Sequence, residues 1–144
     1  MSINFFNEVI DFNLKGKRIL KKLIKYIIAG ENKKVENVNF IFCSDDYIIG
    51  INRTYLKHDY FTDIITFNFN QGNIISGDIF ISIDTVKENA LTYKVPFDRE
   101  VQRVIIHGIL HLIGFDDTNE SLQIEMRKKE DETLDILNSE FFIN

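Results

Sequence analysis

Cysteine is nearly absent from this chain of 144 residues, in which Cys43 is the only one. A lone thiol has no partner within the chain, which excludes a scaffold held together by internal disulfides and gives no sign of an oxidising compartment. Cys43 ends the apolar run 38–43. We therefore expect a buried, unreactive thiol at this position.

Long apolar runs are absent as well. No segment approaches the roughly 20 apolar residues that a membrane-spanning helix needs, and residues 1–8 lack the basic start and apolar stretch of a secretory signal peptide. We therefore expect a cytoplasmic protein. Hydrophobic residues make up 44% of the chain and charged residues 27%, which is ordinary for a globular protein, and the length predicts one domain spanning residues 1–144.

Positive charge is in the minority, and the formal net charge of -5 argues against nonspecific nucleic-acid binding by the surface as a whole. The positive charge is nevertheless concentrated in the segment 15–34, in which Glu31 is the single acid. The segment contains eight basic residues: Lys15, Lys17, Arg18, Lys21, Lys22, Lys25, Lys33 and Lys34. Such a basic face can steer a phosphate backbone, or it can simply be the solvated side of an amphipathic helix. Charge alone favours the second interpretation.

The apolar periodicity predicts an α/β (α+β) fold, in which about five helices pack on a small mixed sheet of four strands. The helix that follows Pro96 is expected to be capped by Asp98, and a turn at Gly72 is expected to join two strands into a hairpin. Strands are predicted at 3–6, 38–43, 62–69 and 74–83, and helices at 15–28, 44–56, 84–93, 98–112 and 121–137.

Histidine is scarce too, but two of the three histidines stand four residues apart, at His107 and His111. On a helix this spacing puts both imidazoles on one face. Gly114 can take a positive φ and end the helix, so that the chain doubles back and brings Asp117 to the same point. The pattern predicts a metal site with three protein ligands and a fourth position open for catalysis, with Asp116 as the rival third ligand or as a cap of the turn.

The residue after the first histidine separates this motif from that of the metzincin proteases, which share the spacing but carry a glutamate there as general base. Here the position is Gly108, which can move no proton. A single histidine on an apolar helix face is more often a hydrogen-bonded core residue than a ligand. Two histidines with a glycine and an acid at matching offsets favour metal binding.

Three motifs occur in one order along the chain: TDIITF at 62–67, GDI at 77–79 and HGILHLIGFDD at 107–117, followed by an acidic helix that contains Met126. This arrangement resembles the YbeY family of bacterial metal-dependent endoribonucleases over nearly the whole chain. The resemblance implies a single-strand-specific endoribonuclease that acts in maturation of the 16S rRNA 3′ end and in ribosome quality control. It also implies one Zn²⁺ per chain, an rRNA precursor and the ribosome or its proteins as partners, and no DNA or membrane partner.

The resemblance carries the ligand role directly onto His107 and His111. The third ligand falls at Asp117, where the family commonly has histidine. Two neutral imidazoles and a carboxylate still make a zinc site, but with a harder donor set. The physiological metal is therefore left open by the sequence.

A second departure lies in the loop before the strand at 62–69, where the family commonly has an arginine after a tyrosine. Here Tyr55 is followed by Leu56. Lys57 and His58 are the neighbouring candidates for its catalytic role, although His58 can also be an exposed residue with no role. The general base is open as well, with Asp78 and Asp116 as weak candidates.

Three functions therefore compete. The endoribonuclease is favoured by the combined motifs. A zinc hydrolase of a peptide or small ester is disfavoured by Gly108, while a ribosome-associated zinc-binding protein with little catalysis is supported by Leu56.

Overall fold

The computed structural model describes residues 2–57 and 62–139, and in these ranges it has one four-stranded sheet and five α-helices. The expected α/β architecture is therefore confirmed. The strands are β1 (Ser2–Asn7), β2 (Lys34–Cys43), β3 (Ile64–Asn68) and β4 (Ile74–Ser82), and the helices are α1 (Lys17–Gly30), α2 (Asp45–Ile51), α3 (Ile83–Tyr93), α4 (Phe97–Leu112) and α5 (Glu120–Leu137), with a π-helical turn at Asn52–Leu56.

The sheet is mixed, with the strand order β1-β2-β4-β3. β1, β2 and β4 run parallel, while β3 runs antiparallel to β4, with Thr66 opposite Ile79. The predicted hairpin is thus confirmed. Parallel neighbours need a long crossover, and α1 supplies the one between β1 and β2.

The main core lies between one face of the sheet and helices α1 and α4. Alternate residues of the strands point to this face, as expected from the two-residue period of a strand, and the apolar stripes of the helices cover them. Fully buried members include Val38, Phe40, Ile79 and Ile81 of the sheet, Leu23 and Ile24 of α1, and Ile105 and Ile109 of α4.

Cys43 belongs to a second, smaller cluster on the opposite face, where it packs with Ile48 and Ile65. Burial, together with the negative charge of Asp45, raises the pKa of its thiol to about 12. The thiol is therefore protonated at neutral pH. The expectation of a buried, unreactive cysteine is confirmed.

Two glycines let α4 approach the hairpin closely. A Cβ at Gly77 would lie 2.6 Å from the carbonyl oxygen of Phe67 and 2.8 Å from Cδ1 of Leu112. A Cβ at Gly108 would lie 2.8 Å from Cδ1 of Ile64 and 3.0 Å from Cγ2 of Ile79. Because neither position carries a side chain, the helix with both motif histidines can pack closely against β3 and β4.

Several predicted boundaries were wrong. The helix predicted at 44–56 is an α-helix only to Ile51 and continues as the π-helical turn, and the strand predicted at 62–69 is limited to Ile64–Asn68. β2 begins at Lys34 rather than at residue 38, since its polar first residues pair with β4 through a bulge that interrupts the alternation between Val35 and Asn37. Asp98 does not cap α4, because the helix already begins at Phe97 after the extended Pro96. Asp98 lies in the first turn, where its negative charge interacts favourably with the helix dipole and stabilises the helix.

The start of α2 agrees with the sequence, because the Ser44 hydroxyl accepts a hydrogen bond from the Tyr47 amide at 3.2 Å. In the described ranges, no helix combines the length and the hydropathy that a membrane-spanning helix requires.

Candidate metal centre

The last two turns of α4 place His107 and His111 side by side, with ring centroids 4.6 Å apart. The helix ends at Leu112, and Gly114 adopts a φ of 111°, which is strained for any residue with a side chain. The chain then reverses and Asp117 returns to the two imidazoles. The turn predicted from the glycine is confirmed.

The three predicted ligands converge on one point. His107 Nε2 lies 3.6 Å from one carboxylate oxygen of Asp117, and His111 Nε2 lies 3.4 Å from the other. Ligands bound about 2.0–2.2 Å from a tetrahedral zinc ion are roughly 3.3–3.6 Å from one another. The donor set and its spacing therefore fit a divalent metal, and His107, His111 and Asp117 form a group that could hold one.

Asp116, the rival third ligand, stabilises the turn instead. One of its carboxylate oxygens accepts a hydrogen bond from the Asp117 amide at 2.7 Å, and the other accepts from the Thr118 hydroxyl at 3.2 Å. These bonds hold the backbone in the conformation that presents Asp117 to the histidines. Of the two alternatives for Asp116, the cap is the one that the structure supports.

His107 is oriented from behind by a buried carboxylate on α5. Its Nδ1 lies 2.5 Å from Oε2 of Glu130, whose residue is only 2% exposed. A carboxylate accepts, so Nδ1 carries the proton and the lone pair of Nε2 points towards Asp117. This is the tautomer that a metal ligand needs.

An arginine holds that carboxylate in turn. Arg103 donates to Glu130 Oε1 at 2.9 Å and, with its other nitrogens, to both oxygens of the buried Glu100. Burial alone would raise the pKa of Glu130, but its hydrogen bonds to His107 and Arg103 and the positive charge of Arg103 lower it. Burial alone would likewise lower the pKa of Arg103, and the two carboxylates raise it. Both shifts favour the charged forms, a Glu130 carboxylate and an Arg103 guanidinium.

Sequence reasoning missed Glu130, Arg103 and Glu100. A signal for two of them was present, since Glu100 and Arg103 precede His107 by seven and four residues and so share its helix face. Glu130 has no comparable signal. It reaches His107 only because α5 packs against α4.

A cavity of about 370 Å³ opens beside the metal centre. Asp63, from the TDIITF motif, lies in its wall, and burial raises the pKa of this carboxyl although His107 and Arg103 partly offset the effect. The cavity is lined by Asp63, Asn89, Tyr93, Arg103, Val104, His107, Asp117, Gln123, Met126, Arg127 and Glu130.

The other predicted site residues lie elsewhere. Lys57 is exposed and ends the π-helical turn with a φ of 56°, and among the described residues it is not one that lines this cavity. His58 falls outside the described residues. Asp78 lies on the sheet face opposite α4 and accepts a hydrogen bond from Asn39 at 3.0 Å.

The basic face of α1 is only partly separate from the site. Lys33, just beyond the helix, donates a hydrogen bond of 2.8 Å to the carbonyl of Ile113, next to the turn that leads to Asp117. Lys17, Lys22 and Lys25 are exposed.

Comparison with known proteins gives a consistent family. The sequence pattern of the family described as Endoribonuclease YbeY matches residues 3–138. A protein of that name from Flavobacterium psychrophilum is 45% identical over 129 residues, which covers 90% of this chain and 92% of the relative. Another from Parabacteroides distasonis is 44% identical over 140 residues, covering 97% and 99%.

A solved structure agrees with the sequence matches. The solution structure of a protein from Thermotoga maritima superimposes with a TM-score of 0.67 and 30% sequence identity, covering 94% of this chain and 89% of that protein. The similarity therefore covers most of the described residues and includes α4, which carries His107 and His111.

Proposed function

The chain belongs to the YbeY family of endoribonucleases, and from this membership we propose that it cleaves single-stranded RNA with a divalent metal held by His107, His111 and Asp117. As a member it is a hydrolase acting on RNA. The observation that carries the metal assignment is the spacing of 3.4 and 3.6 Å between the imidazole nitrogens and the Asp117 oxygens.

Each protein residue has a separate task in this proposal. The metal supplies Lewis-acid stabilisation of charge on the phosphoryl group and activation of water. His107 and His111 bind through Nε2, Asp117 binds through its carboxylate, and Glu130 keeps His107 in the binding tautomer. We propose Zn²⁺, one per chain, since imidazoles and a carboxylate are typical zinc ligands.

Gly108 weighs against a peptide hydrolase. Position 108 faces Ile64 and Ile79 at contact distance, so an acid there would be forced into the core rather than towards substrate. The protease base of the related zinc motif therefore has no room in this fold. Lys57 and His58 stay in the proposal as the candidates for the catalytic role that the family gives to an arginine.

The biological setting is proposed from the family resemblance. The substrate is an rRNA precursor processed at the 16S 3′ end, with a role in ribosome quality control, the ribosome or its proteins as partners and the cytoplasm as the compartment. Residues 1–144 act as one domain of this kind. The exposed lysines of α1 favour an RNA partner over an uncharged one.

The test is cleavage of labelled single-stranded RNA, duplex RNA and casein by the purified protein, with and without chelator, and with His111→Ala as the matched variant. We expect single-stranded RNA to be cut only by the metal-loaded wild type. Cleavage of casein would favour the peptide hydrolase. A protein that binds zinc but cuts none of the three would favour the ribosome-associated binding protein.

The role of the basic face can be measured separately. Lys22→Glu combined with Lys25→Glu should weaken RNA binding and flatten the dependence of log affinity on log salt, because each lost phosphate contact on single-stranded RNA removes about 0.7 from the slope. The control reverses two exposed charges elsewhere, Arg99→Glu with Lys128→Glu. Equal loss of binding in both double variants would mean that the lysines of α1 are only the solvent-exposed side of an amphipathic helix and do not contact RNA specifically.

A further inference from the structure

Arg127 stands at the rim of the cavity beside the metal centre, in the second turn of α5. The cavity wall also carries three carboxylates, those of Asp63, Asp117 and Glu130. These negative charges oppose the entry of a polyanion. A cation at the rim would offset this repulsion where an RNA strand enters.

The two arginines of the cavity differ in what they have left to bind. The side chain of Arg103 is 15% exposed and its guanidinium is committed to Glu100 and Glu130. The side chain of Arg127 is 49% exposed, and among the residues that the structure describes its nearest carboxylate oxygen is Oε1 of Glu130, at 3.7 Å. That oxygen already accepts a hydrogen bond from Arg103 at 2.9 Å. Arg127 therefore keeps its donors for a ligand.

Tyr93 sets the direction of this side chain. The Arg127 guanidinium lies over the Tyr93 ring, 5.8 Å from its centroid, and Tyr93 itself lines the cavity from the end of α3. A cation–π contact leaves the N–H donors at the edge of the guanidinium fork available for hydrogen bonds. The edge of this fork matches two oxygens of a phosphate.

We propose that Arg127 binds a backbone phosphate of the RNA next to the scissile bond, and that Tyr93 is a positioning residue for it. The inference rests on the proposed endoribonuclease function. It assigns to α5 a phosphate contact that the sequence analysis did not predict.

The test compares Arg127→Gln with Lys128→Gln, an exposed neighbour on the same helix that undergoes the same loss of charge. Steady-state kinetics on a single-stranded RNA should show kcat/KM reduced roughly 10- to 100-fold by Arg127→Gln, as for loss of a charge-assisted hydrogen bond. Arg127→Lys should recover part of the loss. Metal content, measured on the same samples, should be unchanged.

A second measurement identifies the phosphate. Substrates in which one phosphate at a time is a neutral methylphosphonate should reveal a position that lowers kcat/KM for the wild type and for Lys128→Gln, but lowers it no further for Arg127→Gln. Tyr93→Phe, which keeps the ring, should behave as the wild type, and Tyr93→Leu should lose part of the sensitivity at that position alone.

The outcomes separate this inference from the function on which it rests. If the wild type cuts RNA and Arg127→Gln matches Lys128→Gln in kcat/KM, the phosphate contact is wrong and the endoribonuclease stands. If Arg127→Gln responds to every methylphosphonate as the wild type does, the contact is likewise wrong. If the wild type cuts no RNA, the proposed function is wrong, and the phosphate contact that depends on it is wrong as well.

Discussion

At the scale of single residues, the metal centre depends on a carboxylate that is not a ligand. Glu130 accepts from His107 at 2.5 Å and thereby sets which imidazole nitrogen faces the metal. Glu130→Gln should therefore weaken metal affinity about 10- to 100-fold, the usual cost of losing such a partner. Competition against a chromogenic chelator measures it. Glu125→Gln, exposed on the same helix, is the control, and equal affinities in both variants would contradict the role given to Glu130.

Asp117 would set the hardness of the proposed donor set. Asp117→His replaces a carboxylate by a softer imidazole at a position that already faces both histidines at 3.4 and 3.6 Å. The variant should keep its metal and shift its preference away from Mn²⁺ towards Zn²⁺. Competitive loading with the two ions gives the ratio. An unchanged ratio would mean that Asp117 does not bind the metal, and Asp116→Asn, which alters only the turn, should leave the ratio as in the wild type.

At the scale of elements, the docking of α4 on the hairpin depends on Gly77. A Cβ there would meet the Phe67 carbonyl at 2.6 Å, and a backbone atom cannot move aside cheaply. Gly77→Ala should lower the free energy of unfolding by about 1–3 kcal/mol, as in other overpacked sites. Urea denaturation of the metal-free protein measures it.

Gly50→Ala is the matched control for this change. It lies in α2, and a Cβ there would have no atom within 4 Å. Because alanine is preferred to glycine inside a helix, this variant should gain about 0.5–1 kcal/mol. Two variants with the same change in stability would show that Gly77 is not the contact that fixes α4.

What the sequence could reveal about these elements follows from the range of the interactions. The convergence of His107, His111 and Asp117 was predictable, because helical spacing and the turn at Gly114 determine it within eleven residues. The contact of His107 with Glu130 was not, because it joins two helices at a separation of 23 residues. The start of β2 at Lys34 could not be predicted for a similar reason, because its polar first residues are in the strand only through their pairing with β4.

At the scale of the whole molecule, the metal centre ties the end of α4 to the turn before α5, so binding should stabilise the entire fold. A ligand that binds only the folded state at 100 times its Kd contributes about 2.7 kcal/mol. For a protein of this size, about 2–4 °C per kcal/mol predicts a rise in Tm of roughly 5–11 °C when Zn²⁺ is added to the metal-free protein. Differential scanning calorimetry measures it. His111→Ala should show no such rise, because it removes one of the three converging ligands while the buried Glu130 network remains. If zinc does not change the Tm of the wild type, or raises the Tm of His111→Ala equally, any bound ion lies away from this site.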